Sequence, residues 1–221
     1  MIVSGMSDIP SETHGGAVET EHSPGSVRPG GRTARVRAEV LRAAGDLLTE
    51  RGFDGLDLTE VAARAGVGRT TVYRRWGTPT AVVADLLADM AEQSVPRADT
   101  GSLRGDLTAN ARLIARTLTD PRQGRLFLAV IAAATCDHGA RTALHRFYDV
   151  RLTEWAGCVT DAIGRGEAPS GTDPRAVLSA VAAPLYYRLL ASGDPVDDAT
   201  AVMAAEAALA AVAAGVFVTA R

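Results

Sequence analysis

Apolar residues recur every three or four positions through most of the chain from Thr33 onwards, the spacing of helices with one buried face. No stretch alternates as a strand would, and no internal repeat is present. Helices are predicted over residues 33–51, 69–76, 79–93, 140–165 and 196–216, with further helical stripes at 58–65, 103–118, 126–131 and 177–189. We therefore predict an all-α protein, with a small three-helix head followed by a larger helical body.

The most informative pattern is a pair of short helices around a tight turn between Asp57 and Trp76. Asp57 followed by Glu60 predicts a capping box, in which both side chains satisfy free backbone N–H groups at the helix start. Gly66 supplies the left-handed backbone that ends this helix. The second helix turns Val72 and Trp76 inward, one helical turn apart. Together these features predict a helix-turn-helix.

The outer face of the second helix carries side chains that suit the major groove of DNA. Arginine offers a fork to guanine edges and phosphates, while Thr and Tyr hydroxyls reach phosphate oxygens. Arg69, Thr70 and Thr71 are assigned to base edges or nearby phosphates. We assign Tyr73, Arg74 and Arg75 to contacts with the DNA backbone. Thr59 and Gly68 complete the predicted DNA-contact residues of the helix-turn-helix.

Four further motifs stand in order along this region: Gly52-Phe53, Val61-Ala62, Ala65-Gly66-Val67 and Thr71-Val72-Tyr73-Arg74-Arg75-Trp76. With these motifs, the residues from Thr33 to Leu87 resemble, without gaps, the DNA-binding domain of the tetracycline-repressor (TetR) family. The chain departs from the family at Asp57, Gly68, Trp76 and Pro79, where Ser or Thr, Ser, Phe and Lys are usual. That lysine often touches the DNA backbone in the family, whereas Pro79 fits the first turn of the next helix with Thr78 as its cap.

Charge is distributed unevenly along the chain. The net charge is −3, but residues 28–75 carry ten Arg against six acidic residues, a surplus of +4. This segment contains the helix-turn-helix, as attraction to phosphate requires. Arg32, Arg35 and Arg37 follow Arg28 as a basic arm before the first helix. Such an arm either contacts DNA or is a solvated basic face.

The chain divides into three parts. Residues 1–31 are rich in Ser, Gly, Pro, Glu and Thr, so we predict a disordered tail. Residues 32–78 form the DNA-binding domain, and residues 79–221 form a ligand-binding and dimerisation domain. Cys136 and Cys158 lack metal-ligand spacing and are expected to be buried thiols, so no metal and no cofactor are expected. We expect a cytoplasmic protein that makes no membrane contact, because no spanning run or secretory signal is seen.

The last two predicted helices carry more apolar and small residues than one buried face requires. They would form half of a four-helix bundle, and the family resemblance implies that a second copy supplies the other half. Such a homodimer would read a palindromic operator in double-stranded DNA. The alternative is a buried hairpin within a monomer. We expect Leu185, Leu189 and Val202 near the interface, and Pro184 should kink its helix.

The family resemblance also implies a small-molecule pocket in the body, whose occupancy moves the two heads apart. The candidate lining residues are Phe127, Ile131, Leu144, Tyr148, Trp155 and Tyr186. Core packing would explain the same pattern. His145, beside this face, is either a ligand partner or a surface histidine. No ionic cluster lines the predicted core, so a neutral or mostly apolar effector is expected.

We therefore predict a sequence-specific transcriptional regulator, a repressor released from its operator by a small apolar molecule. A TetR-like binder without an effector, acting constitutively or architecturally, is the alternative. An enzyme is not expected, because the sequence has no Gly-rich phosphate loop, nucleophile elbow, metal-ligand spacing or apposed His–carboxylate pair.

Overall fold

The computed structural model describes residues 29–93 and 96–219. These residues are helical apart from loops and an isolated antiparallel bridge between Thr172 and Val218, so the all-α prediction is confirmed. The helices are α1 (Pro29–Arg51), α2 (Leu58–Arg64), α3 (Arg69–Arg75), α4 (Pro79–Glu92), α5 (Leu103–Thr119), α6 (Gln123–Cys136), α7 (His138–Arg165), α8 (Pro174–Tyr187) and α9 (Asp198–Ala213). A π-helical turn, Arg188–Ser192, continues α8.

The turn between α2 and α3 follows the predicted helix-turn-helix closely. The Asp57 carboxylate accepts a hydrogen bond from the Thr59 N–H at 3.0 Å and caps α2. Gly66 has a φ of +64°, the left-handed conformation expected of the residue that ends this helix. The capping box is incomplete, however, because the Glu60 carboxylate binds Arg51 at 2.6 Å and Arg64 at 3.4 Å instead of turning back to the helix start.

Helix α4 joins the head to the body. The Thr78 hydroxyl accepts a hydrogen bond from the Ala81 N–H at 3.2 Å, and Pro79 occupies the first turn, as predicted. Val82, Val83 and Leu87 are almost completely buried. Since α4 packs on both α1 and α7, it connects head and body, and α1 adds a second connection by packing on α6.

The hydrophobic core is divided differently from the predicted domains. One cluster contains the head and α4, but it continues into α6 and the first half of α7 through Phe127, Leu144 and Phe147. A second cluster unites α5, the second half of α7, α8 and α9 around Leu107, Val159 and other apolar residues. The boundary predicted after residue 78 is therefore not a boundary in the packing.

Several helix ends differ from their predictions. Helix α1 begins at Pro29 rather than Thr33, so it includes the last residues of the predicted tail; residues 1–28 lie outside the described residues. Helix α9 covers Asp198–Ala213, shorter than the predicted 196–216. Pro184 is accommodated inside α8, which then widens into the π-helical turn, consistent with a proline that cannot donate a backbone hydrogen bond.

The two cysteines are free, but only Cys158 is buried; the prediction that Cys136 is buried is wrong, since it lies exposed at the end of α6. Burial raises the pKa of the Cys158 thiol to about 11. Among the helices of residues 29–93 and 96–219, none has the length and apolar character needed to cross a membrane.

Candidate nucleic-acid interface and internal cavity

Helix α3 is held on the head by Val72, which is completely buried, and by Trp76 just after its end. These two anchors turn the rest of the helix outward, as predicted. Arg69, Thr70, Tyr73, Arg74 and Arg75 are exposed and Thr71 is half-buried. The predicted contact residues of α3 therefore share one accessible surface, with the side-chain-free Gly68 at the helix N-cap.

Tyr73 organises one part of this surface. The Arg69 guanidinium lies over the Tyr73 ring, 5.4 Å from its centroid, a cation–π geometry. The Tyr73 hydroxyl is 3.4 Å from the Thr59 Oγ1 of α2. Thr59, Arg69 and Tyr73 are thus brought together, although fourteen positions separate Thr59 from Tyr73.

Trp76 ties the end of α3 to α4. The Trp76 indole donates a hydrogen bond to the Asp85 carboxylate at 2.9 Å. The Arg75 guanidinium stacks over the same indole, 4.9 Å from its centroid. The orientation of α3 is therefore coupled to α4 by a buried ring with a polar partner.

The basic arm predicted before the first helix is instead the first part of α1. Arg32 and Arg35 are exposed on this helix. Arg37 is half-buried and faces α4, with its Nη2 2.8 Å from the Asp85 carboxylate and its Nη1 on Asp89. Arg37 is thus engaged within the head, and its prediction as a DNA contact is not supported by this position. Arg28 lies outside the described residues.

Arg37 and Asp85 each stabilise the charged form of the other. Burial raises the pKa of the Asp85 carboxyl, but hydrogen bonds from Arg37 and Trp76 outweigh it and leave the pKa below its ordinary value. The hydrogen bond to Asp85 in turn raises the pKa of the Arg37 guanidinium. Arg37 and Asp85 are therefore held as charged groups between α1 and α4.

A cavity of about 580 Å³ lies between the head and the body. Its walls come from α1 and α4 on one side and from α5 to α8 on the other. Of the predicted lining residues, the cavity is lined by Phe127, Tyr148, Trp155 and Tyr186. Ile131 and Leu144 do not line it, because they pack within the core that includes the head.

Aromatic rings cross this region from α6 to α8. The Phe127 and Phe147 centroids are 5.6 Å apart, those of Phe147 and Tyr148 5.3 Å, and those of Tyr148 and Tyr186 5.9 Å. The Tyr148 hydroxyl donates a hydrogen bond to the Tyr186 hydroxyl at 3.0 Å. Because burial raises the pKa of both phenols, they remain protonated and available as donors.

The sequence predicted that no ionic cluster lines the core, and hence a neutral or mostly apolar effector, but the cavity wall does contain charged residues. Arg151, only 8% exposed, lines the cavity, with its guanidinium 4.4 Å from the Trp155 ring centroid and its Nη1 2.9 Å from Glu154. Burial lowers the pKa of Arg151. The sequence did carry a signal for it, because Arg151 follows Tyr148 by three positions and precedes Trp155 by four, which is the spacing of one helical face.

His145 lies on the exposed surface of α7, beside Arg146 and Asp149, and does not line the cavity. His138 is also exposed, at the start of α7. Within the described ranges, no group of three or more His, Cys, Asp or Glu side chains could hold a metal ion.

The residues predicted at a dimer interface are mostly covered within one chain. Leu185 is completely buried in the body core, and Leu189 and Val202 are half-buried. This position does not support the prediction that Leu185 contributes to an interface. The exposed apolar residues of these elements include two rows, here called the α8–α9 stripes: Ala183, Tyr187 and Leu190 on α8 and its π-helical turn, and Ala199, Met203, Ala207 and Ala210 on α9.

Comparison with known proteins gives matches for both parts of the chain. Residues 40–86 match the family described as bacterial regulatory proteins, tetR family. Residues 97–208 match the family described as tetracyclin repressor-like, C-terminal domain. The first match includes the second half of α1, all of α2 and α3 and the first half of α4, and the second match spans α5 to α8 and most of α9.

Individual relatives extend over most of the chain. An HTH-type transcriptional regulator of Bacillus subtilis, YdeS, is 34% identical over 160 residues, which are 72% of this chain and 80% of the relative. A DNA-binding transcriptional repressor of Mycobacteroides abscessus, TetR, is 32% identical over 164 residues, 73% of this chain and 85% of the relative. The crystal structure of the TetR family transcription regulator SCO0332 is 30% identical with a TM-score of 0.64, covering 80% of this chain and 98% of that one.

Proposed function

This chain belongs to the tetracycline-repressor family of helix-turn-helix transcriptional regulators, and we propose that it represses transcription from a palindromic operator until a small molecule releases it. The observation that carries this proposal is the outer surface of α3, where exposed arginine, threonine and tyrosine side chains stand on a helix anchored by Val72 and Trp76.

In this proposal α3 enters the major groove. Arg69, Thr70 and Thr71 contact base edges or adjacent phosphates, because they occupy the N-terminal half of the recognition helix. The phosphate backbone is contacted by Thr59, Tyr73, Arg74 and Arg75. Arg32 and Arg35, exposed on α1, add positive charge to the same head, whereas Arg37 serves the contact between α1 and α4.

Dimerisation is proposed through the α8–α9 stripes. Met203 is 54% exposed and Tyr187 is 64% exposed, although both are large and apolar. A second copy placed against these helices would cover them and complete a four-helix bundle. Two heads related by a two-fold axis would then read half-sites one turn of DNA apart, roughly 34–36 Å.

The cavity is the proposed effector site. Its wall includes Leu41 of α1 and Asp89 of α4 as well as body residues, so an occupant would touch both sides of the junction. Asp89 binds Arg37, Arg37 binds Asp85, and Asp85 accepts the Trp76 hydrogen bond at the end of α3. A ligand that prefers a different α4 position would therefore favour a dimer whose head spacing no longer fits the operator.

Selection of bound fragments from a random DNA library by the purified protein tests this function. We expect enrichment of an inverted repeat whose half-site centres are about 10 bp apart. An Arg69→Ala/Arg74→Ala double variant should lose the enrichment, while Arg146→Ala, which removes an exposed arginine on α7, should retain it. Recovery of no common sequence, or of one unrepeated site, would contradict the proposal.

A further inference from the structure

One part of the cavity wall is rich in hydrogen-bond donors, contributed by two neighbouring helices. Tyr148, Arg151 and Trp155 come from α7, and Tyr186 comes from α8. We call these four residues the donor cluster. The Tyr148 hydroxyl donates to the Tyr186 oxygen at 3.0 Å, which leaves the Tyr186 O–H proton for another acceptor. The Arg151 guanidinium lies against the Trp155 ring and is also paired with Glu154, its Nη1 being 2.9 Å from the carboxylate.

Trp155 supplies an independent observation. Its side chain is 7% exposed and lines the cavity. Its indole Nε1 is buried and, among residues 29–93 and 96–219, has no hydrogen-bond partner. An indole N–H can only donate, and a buried donor without an acceptor costs free energy. Native proteins keep few such groups, so this one calls for an acceptor that the described part of the chain does not supply.

The remaining wall of the cavity is mainly apolar. It includes Leu41, Leu86, Ile114, Leu126, Phe127 and Leu178. Asp89 also lines the cavity, but its carboxylate is held by Arg37 and by Gln93 at 2.7 Å. Among the described lining residues Asp89 is the one carboxylate. Glu154, which pairs with Arg151, does not line the cavity, so a ligand would share the guanidinium with it.

We propose that the cavity binds a small organic acid, with its carboxylate on Arg151, Trp155 and Tyr186 and its alkyl or aryl body against the apolar wall. This inference depends on the effector site of the proposed function. A carboxylate has acceptor sites for several donors and its charge complements the arginine fork. A hydrocarbon ligand would leave the Trp155 N–H without an acceptor, and a cation would be repelled by Arg151.

Calorimetric titration of the protein without DNA tests the ligand class directly. The probes are matched pairs that differ only in the polar group: octanoate with octan-1-ol, and 4-phenylbutyrate with 4-phenylbutan-1-ol. We expect the acid of at least one pair to bind about tenfold or more tightly than its alcohol, as hydrogen bonds to a charged group imply. Equal affinities within both pairs, or no binding of either acid at about 10 mM, would overturn the proposal.

Variants assign the preference to the donor cluster. Arg151→Met should remove the preference for the acid and leave the alcohol affinity within about twofold, whereas Arg151→Lys should restore part of it. Trp155→Phe should weaken binding of the acid more than binding of the alcohol, because it removes the indole N–H but keeps an aromatic ring. Arg146→Met is the matched control, since it removes an exposed arginine of α7 outside the cavity wall. An undiminished preference in Arg151→Met would overturn the assignment.

Two further measurements separate the possible failures. Circular dichroism identifies a variant that does not fold. If Arg151→Met does not fold, then Arg151→Lys, Trp155→Phe and the wild-type acid–alcohol pairs still test whether the donor cluster binds the carboxylate.

Binding of the selected DNA is measured without any acid. A protein that binds its operator but shows no acid preference would disprove the ligand class alone, whereas loss of specific DNA binding would disprove the proposed function. Acid binding that does not release DNA would disprove the effector role.

Discussion

Arg69 and Arg74 are both exposed on α3, but their surroundings differ. The Arg69 guanidinium is supported by the Tyr73 ring, and the Tyr73 hydroxyl reaches Thr59. Arg74 is in the last turn of the helix, away from the end that meets base edges. A guanidinium that is already oriented loses less freedom on binding. We therefore propose that Arg69 reads a base edge and that Arg74 contacts a phosphate.

Substitution of these two arginines should affect DNA binding in different ways. Arg69→Ala should relax the preference at one base pair, at a cost of about 1–3 kcal/mol. Arg74→Ala should weaken binding to all DNA sequences alike. It should also reduce by about one the slope of the logarithm of the binding constant against the logarithm of the salt concentration. Titrations of the operator and its single-base variants at several salt concentrations measure both effects. Unchanged isotherms in both variants would refute these roles, and Arg146→Ala serves as the control.

The roles of individual arginines were predictable only where the neighbouring sequence defines a face. On α3, Val72 and Trp76 mark the inward side, and the exposed set follows from them. Arg37 could not be assigned in this way, because its partner Asp85 is 48 positions away and the sequence does not show which faces of α1 and α4 meet. Arg151 was predictable from its helical spacing, but its charge obscured its inward position.

At the scale of helices, α1 and α4 are joined by a partly buried ion pair. The Arg37 guanidinium is 22% exposed and the Asp85 carboxylate 26% exposed, so solvent screens their attraction only in part. The pKa of the Asp85 carboxyl in the folded protein lies below its ordinary value. The contribution of Asp85 to stability is therefore complete above the unfolded-state pKa of roughly 3.9, and it is lost as the pH falls through the folded-state pKa.

Asp85→Asn should destabilise the protein at neutral pH by about 1.5–3 kcal/mol, because it weakens charged hydrogen bonds from Arg37 and Trp76. The variant should also lose less stability than the wild type on acidification, since it lacks this titrating group. Denaturant unfolding at neutral and acidic pH measures both effects. Asp54→Asn, at an exposed position after α1, is the control. Parallel pH profiles for Asp85→Asn and the wild type would contradict this interpretation.

Helix boundaries were predictable where their causes are local. The Asp57 cap, the left-handed Gly66 and the Thr78-Pro79 start of α4 all depend on adjacent residues. The orientation of α8 and α9 was not predictable, because these helices are apolar on more than one side. Leu185 lies in the body core and Met203 is exposed. The spacing of apolar residues does not show which of these two helix faces is the buried one.

At the scale of the whole molecule, the exposed part of α9 should be essential for DNA binding. Met203→Glu places a charge on the proposed dimer surface, at a cost of about 3 kcal/mol or more if it is buried there. The dimer dissociation constant should then rise more than about a hundredfold. Light scattering should show the 23.0 kDa chain mass in the variant and twice that mass in the wild type, with operator affinity lost in parallel.

Leu128→Glu is the matched control, because Leu128 is exposed on α6, outside the α8–α9 stripes. It should leave both mass and operator affinity unchanged. A Met203→Glu protein that keeps the dimer mass would show that the α8–α9 stripes do not form the interface.

The chain contains two tryptophans, and the structure places one in each core: Trp76 beside α4 in the head, and Trp155 in the body. Each has its own arginine neighbour, but within the described part of the chain Trp76 alone donates a hydrogen bond to a carboxylate. The fluorescence of each tryptophan therefore reports on a different end of the molecule. In the Trp76→Phe variant the remaining fluorescence comes from Trp155 and reports on the cavity. In Trp155→Phe it comes from Trp76 and reports on the DNA-reading end. The order in which the two ends respond to a stimulus can therefore be timed without attaching a dye.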